Sequence, residues 1–402
     1  MGISIKLKFR PLTKQGRQGV LVFHIMHNRF SYHYITNYQI ASSHWNYKKA
    51  VLSIPDKSHP FHNSVLKLSR RVRWEINALR KFANAMLEDN ECITMEEILE
   101  QWKEQMPLQN FFFFMQSIIN KLNDAKKTGT SYKYQSALNS FERFIGSRDL
   151  MLFEITTELI ENYQQYLTGR KLSMNTISFY MRILRAVFNR AVKQNLVPQT
   201  NPFADVYTGV AETRKRAIDL KSIRKIKEVN LFGNKKLEFA RDLFLFSFYC
   251  RGMAFVDMAY LSKDNISNGY LSYNRRKTKQ FLLIKWERPM QEIVNKYKNT
   301  TRYLLPIIKA SNESVYEQYM RMNKYVNRWL KKVGIKANID TKLTMYVARH
   351  SWTSIAKQRN YKISTISRAL GHTSERTTQI YIASLDNNAV DEANKDILNE
   401  LN

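Results

Sequence analysis

Cysteine is nearly absent: Cys92 and Cys250 are the only two in 402 residues, which excludes a disulfide framework and fits a reducing cytoplasm. Glycine and proline are also sparse, at 12 and 8, too few for the many turns of an all-β chain. Long apolar runs are missing. "LFLFSFYC" (243–250) and "FFFFM" (111–115) fall far short of the ~20 residues needed to span a bilayer, so no membrane association is expected. The opening "MGISIKLKFR" has no apolar h-region of a signal peptide. The scarcest class relative to its opposite is acid: 34 Asp+Glu face 64 Lys+Arg, a formal charge of +30. A surplus of that size calls for a polyanionic partner, with nucleic acid ahead of an anionic membrane surface.

What is present is enough to build several cores. Apolar residues make up 44% and charged residues 24%, and the length suggests two or three domains. From residue 1 to about 105 the chain opens with strand-like runs, "ISIKLKFR", "GVLVFHIM" and "FSYHYIT". The first alternates Ile3, Ile5, Leu7 and Phe9 with polar residues, and "HNR" between the second and third predicts a hairpin turn. From His62 the period turns helical, with Val65, Leu68, Val72, Ile76, Leu79, Phe82 and Met86 on one face. Arg70, Arg71, Arg73, Arg80 and Lys81 fall largely outside that stripe, so the region reads as a small sheet with a helix, basic on its outer side. Thr94 and Glu97 carry the spacing of a capping box.

Residues 106–204 read as a helical bundle. "YKYQSALNSFERFI" and "MNTISFYMRILRAVFNRAVKQ" each have one apolar face, and beside the second run Arg182, Arg185, Asn189 and Lys193. That stripe serves as a solvated face or as a contact for phosphates. Pro202 in "NPF" ends the bundle, and the polar, basic stretch 204–217 reads as an exposed linker. The last region, 215–402, is mainly helical with a short hairpin near 270–288. The expected fold is therefore mainly α with small β elements.

Familiar phosphate and dinucleotide loops are missing. The pairs His24/His27 and His59/His62 lack neighbouring cysteines, so no metal site is expected. The chemistry gathers in the last region. Arg251 ends the buried run before "GMAFVDMAYL", where a lone arginine needs a partner or an anion, and Asp257 six residues on is the simplest partner. Lys277 sits in "RRKTKQ" at the hairpin tip with Arg275, Arg276 and Lys279, a set suited to a solvated turn or to DNA. Arg349 lies in "YVARHSW", and "LGHTSERTTQIY" puts His372 nine residues before Tyr381. Together these residue types fit metal-free phosphodiester cleavage. Two arginine forks can hold the non-bridging oxygens, and a tyrosine hydroxyl can attack phosphorus and conserve the bond energy in an ester. A lysine or histidine can then protonate the departing 5′-oxygen.

In the order Arg251, Lys277, Tyr346-x-x-Arg349, "LGHTS" and Tyr381, the chain resembles the tyrosine recombinases of the phage integrase family, including integrases of Bacteroidetes mobile elements. "ALGHTSERTTQIYI", "YVARHSW" and "RGMAFVDMAYL" carry the likeness most specifically. "SMNTISFYMRILRAVFNRAV…NPF" looks like the family's helical core-binding domain, and the first 105 residues look like its arm-type DNA-binding domain. The resemblance implies a site-specific recombinase acting on double-stranded DNA through a 3′-phosphotyrosine, with no metal or nucleotide cofactor. Integration or excision of a mobile element, inversion of a resident segment, and a DNA-binding architectural protein without catalysis stand as alternatives. A type IB topoisomerase would share the chemistry but not the two recognition domains.

Residue by residue, the resemblance implies that Arg251 and Arg349 hold the scissile phosphate and Tyr381 attacks it. Lys277 would be the general acid, with Lys279 as fallback. His372 would bond the phosphate and Asp257 would support the arginines. From the basic helix face and the hairpin, Arg182, Arg185, Lys193, Arg275, Arg276 and Lys279 are expected to contact DNA. The sequence departs from the family at 346, where Tyr346 stands in the place most often held by histidine. A phenol can donate a hydrogen bond there but, ordinarily titrating near ~10, is a poor proton acceptor. His350 matches a histidine with a structural role. In the tail, Leu385, Val390, Ala393, Ile397 and Leu401 approach helical spacing and are expected either to cap their own protomer or to dock on a neighbour in a homotetramer. Accessory directionality or DNA-bending proteins are further partners the family implies.

Overall fold

The computed structural model describes residues 3–12, 17–90, 92–212, 216–297, 299–309 and 312–383. The expected tail helix after 384 lies outside the described residues. The chain divides into two compact units, Met1–Val210 and Ala211–Asn402. As expected it is mainly helical with small sheets. Among the described residues no helix is long and apolar enough to cross a membrane.

The first unit contains two cores. Strands β1 (Ser4–Pro11), β2 (Gln18–His27) and β3 (Phe30–Ala41) form an antiparallel meander. Residues Asn28 and Arg29, both at positive φ (48° and 70°), make the turn between β2 and β3, the backbone a tight hairpin needs to match strand twist. Strand alternation buries Ile5, Leu21, Phe23, Ile25 and Tyr34 and turns Lys6, Lys8, Arg10 and His33 outward. Lys6, His24 and His33 lie in one row across the sheet. Two short strands, β4 (Trp45–Asn46) and β5 (Val51–Leu52), lead to α1 (His62–Asp89) and α2 (Met95–Gln105). Helix α2 starts with the expected reciprocal cap: Thr94 Oγ1 accepts from the Glu97 amide, and the Glu97 carboxylate accepts from the Thr94 amide. Val72, Leu79 and Ala83 of α1 and Ile98 and Trp102 of α2 close the core over the sheet.

The second core belongs to the bundle of α3 (Phe111–Asp124), α4 (Thr128–Ile145), α5 (Thr157–Gly169) and α6 (Met174–Lys193). It runs past "NPF". Phe203 and Val206 are buried in it, the Tyr207 amide donates to Gln164 Oε1 and Ser178 Oγ donates to the Gly209 carbonyl. The first part of the expected linker is therefore bound to the bundle, because "FADVY" still carries apolar residues that need burial.

Arg71 departs from its expected outward position. It is 8% exposed, and its two terminal nitrogens donate to Asp149 Oδ1 (2.6 Å) and Glu154 Oε2 (2.8 Å), while Trp74 stacks on Phe153 at 4.6 Å. Helix α1 is thus amphipathic toward two partners, the sheet on one side and the α4–α5 connection on the other. Arg71→Ala is expected to lower the stability of the chain by about 2–3 kcal/mol, since it strips the half-buried Glu154 carboxylate of its partner; urea unfolding checks this.

In the second unit, α7 (Leu220–Glu228), α8 (Lys235–Tyr249) and α9 (Phe255–Ala259) precede a three-stranded sheet, β6 (Ile266–Ser267), β7 (Tyr270–Asn274) and β8 (Phe281–Lys285). Helices α10 (Arg288–Lys296), α11 (Val315–Lys336), α12 (Met345–Gln358), α13 (Ile363–Leu370) and α14 (Glu375–Ala383) follow. Helix α8 is buried almost all round, with Leu243, Phe244, Leu245 and Phe246 all in the core, which explains an apolar run with no polar stripe.

Candidate active site

Helix α8 ends in an unusual backbone. Arg251 and Gly252 follow it with φ of +59° and +72°, and the amides of Gly252 and Met253 both donate to the Ser247 carbonyl. Glycine is required at 252. A Cβ there would lie 2.7 Å from the Arg349 Cα, so the loop can press against α12 only without a side chain. That close approach creates the first half of the site, because the Gly252 carbonyl accepts a hydrogen bond from Arg349 Nη1 at 3.0 Å.

Arg349 is 4% exposed on the face of α12 that also buries Met345 and Ala348. Its Nη2 donates to the Leu370 carbonyl (2.7 Å) and approaches His372 Nε2 (3.2 Å). A guanidinium only donates, so Nε2 accepts, and the ring proton lies on Nδ1, which donates to Thr378 Oγ1 at 2.8 Å. Burial, then the charges of Arg349, Arg275 and Lys277, push the His372 pKa down to about 4. The imidazole is neutral at physiological pH. Its loop is set by Gly371, which ends α13 at φ +61°.

Arg251 does not pair with Asp257, the partner expected from spacing. Its Nη1 donates to the Leu283 carbonyl of β8 at 3.2 Å, and it lines a cavity of about 910 Å³ together with His372, Phe248, Trp352 and Ile366. Asp257, 3% exposed, accepts instead from the Arg276 amide (2.8 Å) and faces Arg275 Nε at 3.7 Å. Burial pushes its carboxyl up against the opposing pull of that amide and of Arg275 and Arg349.

Among the hairpin cations, Arg276, Lys277 and Lys279 are exposed, and Arg276 stacks over the Tyr260 ring at 3.7 Å. Arg275 is not a surface for DNA in this fold: it is 6% exposed and its Nη1 donates to the Gly371 carbonyl at 2.7 Å. Strand alternation carries that signal, since Leu271, Tyr273 and Arg275 share one parity and all three are buried. Lys277 is among the charges acting on His372.

Tyr346 is 53% exposed, one turn before Arg349, with its ring edge-on to the buried His350 at 4.9 Å. On α14, Ile382 packs with Ala356, Ile366 and Leu370, seating the helix against α12 and α13. Tyr381 lies in this helix; its side chain is outside the described residues. Arg182, Arg185 and Lys193 belong to α6 in the other unit. Arg182 and Lys193 are exposed, while Arg185 is half-buried and donates to Thr208 Oγ1 at 3.2 Å. Thr378, the partner of His372, went unnoticed in the sequence because no periodicity marks it. Among the described residues no group of three or more His, Cys, Asp or Glu could hold a metal ion.

Residues 110–208 match the phage integrase SAM-like domain, and residues 278–388 match the phage integrase family domain. The second match contains Arg349, His372 and Tyr381, whereas Arg251 and Lys277 precede it. A tyrosine recombinase of Pseudothermotoga lettingae is 22% identical over 72% of this chain and 97% of its own length. The tyrosine recombinase XerC of Listeria innocua is 20% identical over 67% and 90%. In fold, the chain is similar to a lambda integrase dimer bound to a COC′ core site (TM-score 0.52, 13% identity, 94% of each chain). It is also similar to a lambda integrase tetramer bound to a Holliday junction (TM-score 0.51, 17% identity, 66% of this chain and 76% of that one). The two phage integrase domain matches together span just over half of the chain, which therefore belongs to the phage integrase family of tyrosine recombinases.

Proposed function

We propose that the chain cuts and rejoins specific DNA sites through Tyr381 to integrate and excise a mobile element, using three modules: an arm-type module (1–105), a core-binding bundle (106–204) and a catalytic domain (215–402). The observation that carries the chemistry is the buried Arg349, fixed by two carbonyls and His372 in a domain that also holds Arg251 and Lys277. Tyr381 Oη attacks phosphorus, the P–O5′ bond breaks, and the electron pair leaves on O5′. Lys277 protonates O5′, and the phenolic proton passes to solvent. Arg251 and Arg349 balance the charge that develops on the non-bridging oxygens. For His372 to donate to the phosphate, its proton must move from Nδ1 to Nε2. Thr378 Oγ1 can serve either tautomer, since a hydroxyl both donates and accepts.

The N-terminal sheet and the fold likeness to the lambda integrase dimer over 94% of the chain support an integrase with an arm-type module. The motif resemblance to Bacteroidetes element integrases supports a host of that kind. The exposed Arg182 and Lys193, and the hairpin's Arg276 and Lys279, are proposed to meet DNA backbone. The lambda integrase tetramer on a junction, with the apolar spacing of Leu385 to Leu401, supports a tetramer joined through the tail. Accessory bending or directionality proteins fit the same scheme.

The test is a nicked suicide duplex carrying the DNA junctions that flank the gene, incubated with chelator and without ATP. A covalent protein–DNA adduct with a free 5′-hydroxyl is expected. Retention of the duplex with no adduct on any junction would falsify the catalytic reading.

Tyr346 sits one turn from Arg349 and can donate a hydrogen bond to the same phosphate. Tyr346→Phe is expected to slow single-turnover cleavage about tenfold, the worth of one hydrogen bond. A loss as deep as that of Arg349→Ala would mean that the phenol does more than donate.

A further inference from the structure

The Gly371 carbonyl, directly before His372, accepts two hydrogen bonds from the hairpin: Arg275 Nη1 at 2.7 Å and Thr278 Oγ1 at 3.1 Å. These donors stand on either side of the exposed Lys277. We propose that Arg275 and Thr278 are positioning residues that clamp the hairpin tip onto the His372 loop and so deliver the Lys277 ammonium to the leaving 5′-oxygen. The inference rests on the reading of Lys277 as general acid.

Four features converge on this clamp. Arg275 crosses 96 residues of sequence to reach Gly371 while 6% exposed, and a long cation is buried only where its partners are fixed. Asp257 holds the other side of the turn, bonding the Arg276 amide at 2.8 Å and facing Arg275 Nε at 3.7 Å. The turn closes on itself, with the Arg275 amide donating to the Gln280 carbonyl and the Lys279 amide to the Arg275 carbonyl, both at 2.8 Å. At Gly371, φ is +61° and a Cβ would meet Arg275 Cδ at 2.8 Å, so the seat of the clamp accepts no larger residue without displacing the arginine. A lysine on a hairpin tip otherwise samples many rotamers, and general acid catalysis needs it within hydrogen-bond reach of one oxygen.

The role can be separated from ordinary scaffolding by changing the leaving group. In a 5′-bridging phosphorothiolate the P–S bond breaks and the pair leaves on sulfur as a stable thiolate, which needs no proton. Wild type, Arg275→Met, Thr278→Val and Lys277→Ala are compared on the junction duplex with 5′-oxygen and with 5′-sulfur. Arg275→Met should cleave the oxygen substrate roughly 10²-fold more slowly, bind the duplex normally, and return close to the wild-type rate on sulfur. Equal slowing on both substrates, or no slowing on either, overturns the clamp. Should Arg275→Met fail to fold, Thr278→Val removes a single hydroxyl at constant shape, and a defect that sulfur does not relieve overturns the clamp equally. Lys277→Ala distinguishes the two failures. If it recovers on sulfur while Arg275→Met does not, the clamp is wrong and the acid right; if it fails to recover, the acid assignment falls and takes the clamp with it.

Discussion

Tyr381→Phe should bind the junction duplex with the affinity of the wild-type chain and form no covalent adduct, a loss on the order of 10⁴-fold or more in cleavage. The substitution removes one oxygen, the only atom of that side chain able to attack phosphorus. Helix α14 should be undisturbed, because its seat depends on Ile382 packing against Ala356, Ile366 and Leu370. The experiment also decides between two tyrosines. Tyr346 is exposed and one turn from Arg349, so a nucleophile at 346 would leave adduct formation by Tyr381→Phe intact. Adduct mapping by peptide sequencing, with gel retardation to measure binding, reads both quantities. An adduct that persists in Tyr381→Phe removes the assignment.

Arg349→Ala should be nearly as damaging to cleavage, costing on the order of 3–4 kcal/mol of transition-state stabilisation. It should also weaken the fold. The carbonyls of Gly252 and Leu370 lose their donor in a place closed to water, at about 1–3 kcal/mol for each group left unsatisfied. Arg349→Lys separates the two effects. An ammonium keeps the charge but cannot span two carbonyls and a phosphate with one planar fork. The lysine variant is therefore expected to recover much of the thermal stability lost by the alanine variant and little of the cleavage rate. Thermal unfolding and single-turnover cleavage measured together give the answer. A lysine variant that cleaves at the wild-type rate would show that charge alone is required.

Local pattern was enough for much of this protein. The period-2 alternation of the first strand, the switch to helical period at His62, the Thr94–Glu97 cap and the hairpin turn at Asn28–Arg29 are short-range features, decided by residues a few positions apart. They stand in the structure where the sequence predicts them. The family, too, was legible, because its motifs crowd into short stretches: "YVARHSW" for Arg349 and "ALGHTSERTTQIYI" for His372 and Tyr381.

What the sequence misjudged were partners distant along the chain. Asp257 is six residues from Arg251, and spacing alone pairs them, yet the carboxylate bonds the hairpin at 276 and Arg251 bonds the Leu283 carbonyl. Arg71 counted as a surface cation until Asp149 and Glu154 came within reach of it. Arg275 counted as a DNA contact, but it is buried and donates a hydrogen bond to the Gly371 carbonyl. In each case a charged side chain was free to point outward or inward, and an inward position is tolerable only where complementary groups are already held in place. Those groups lie on elements 78 to 96 residues away in sequence for the two displaced arginines. Composition and motif therefore determined that the chain is a basic, mainly helical recombinase with a tyrosine near its end. Only tertiary packing decided which cations are buried at the candidate site, which of them brace neighbouring carbonyls, and which stay exposed.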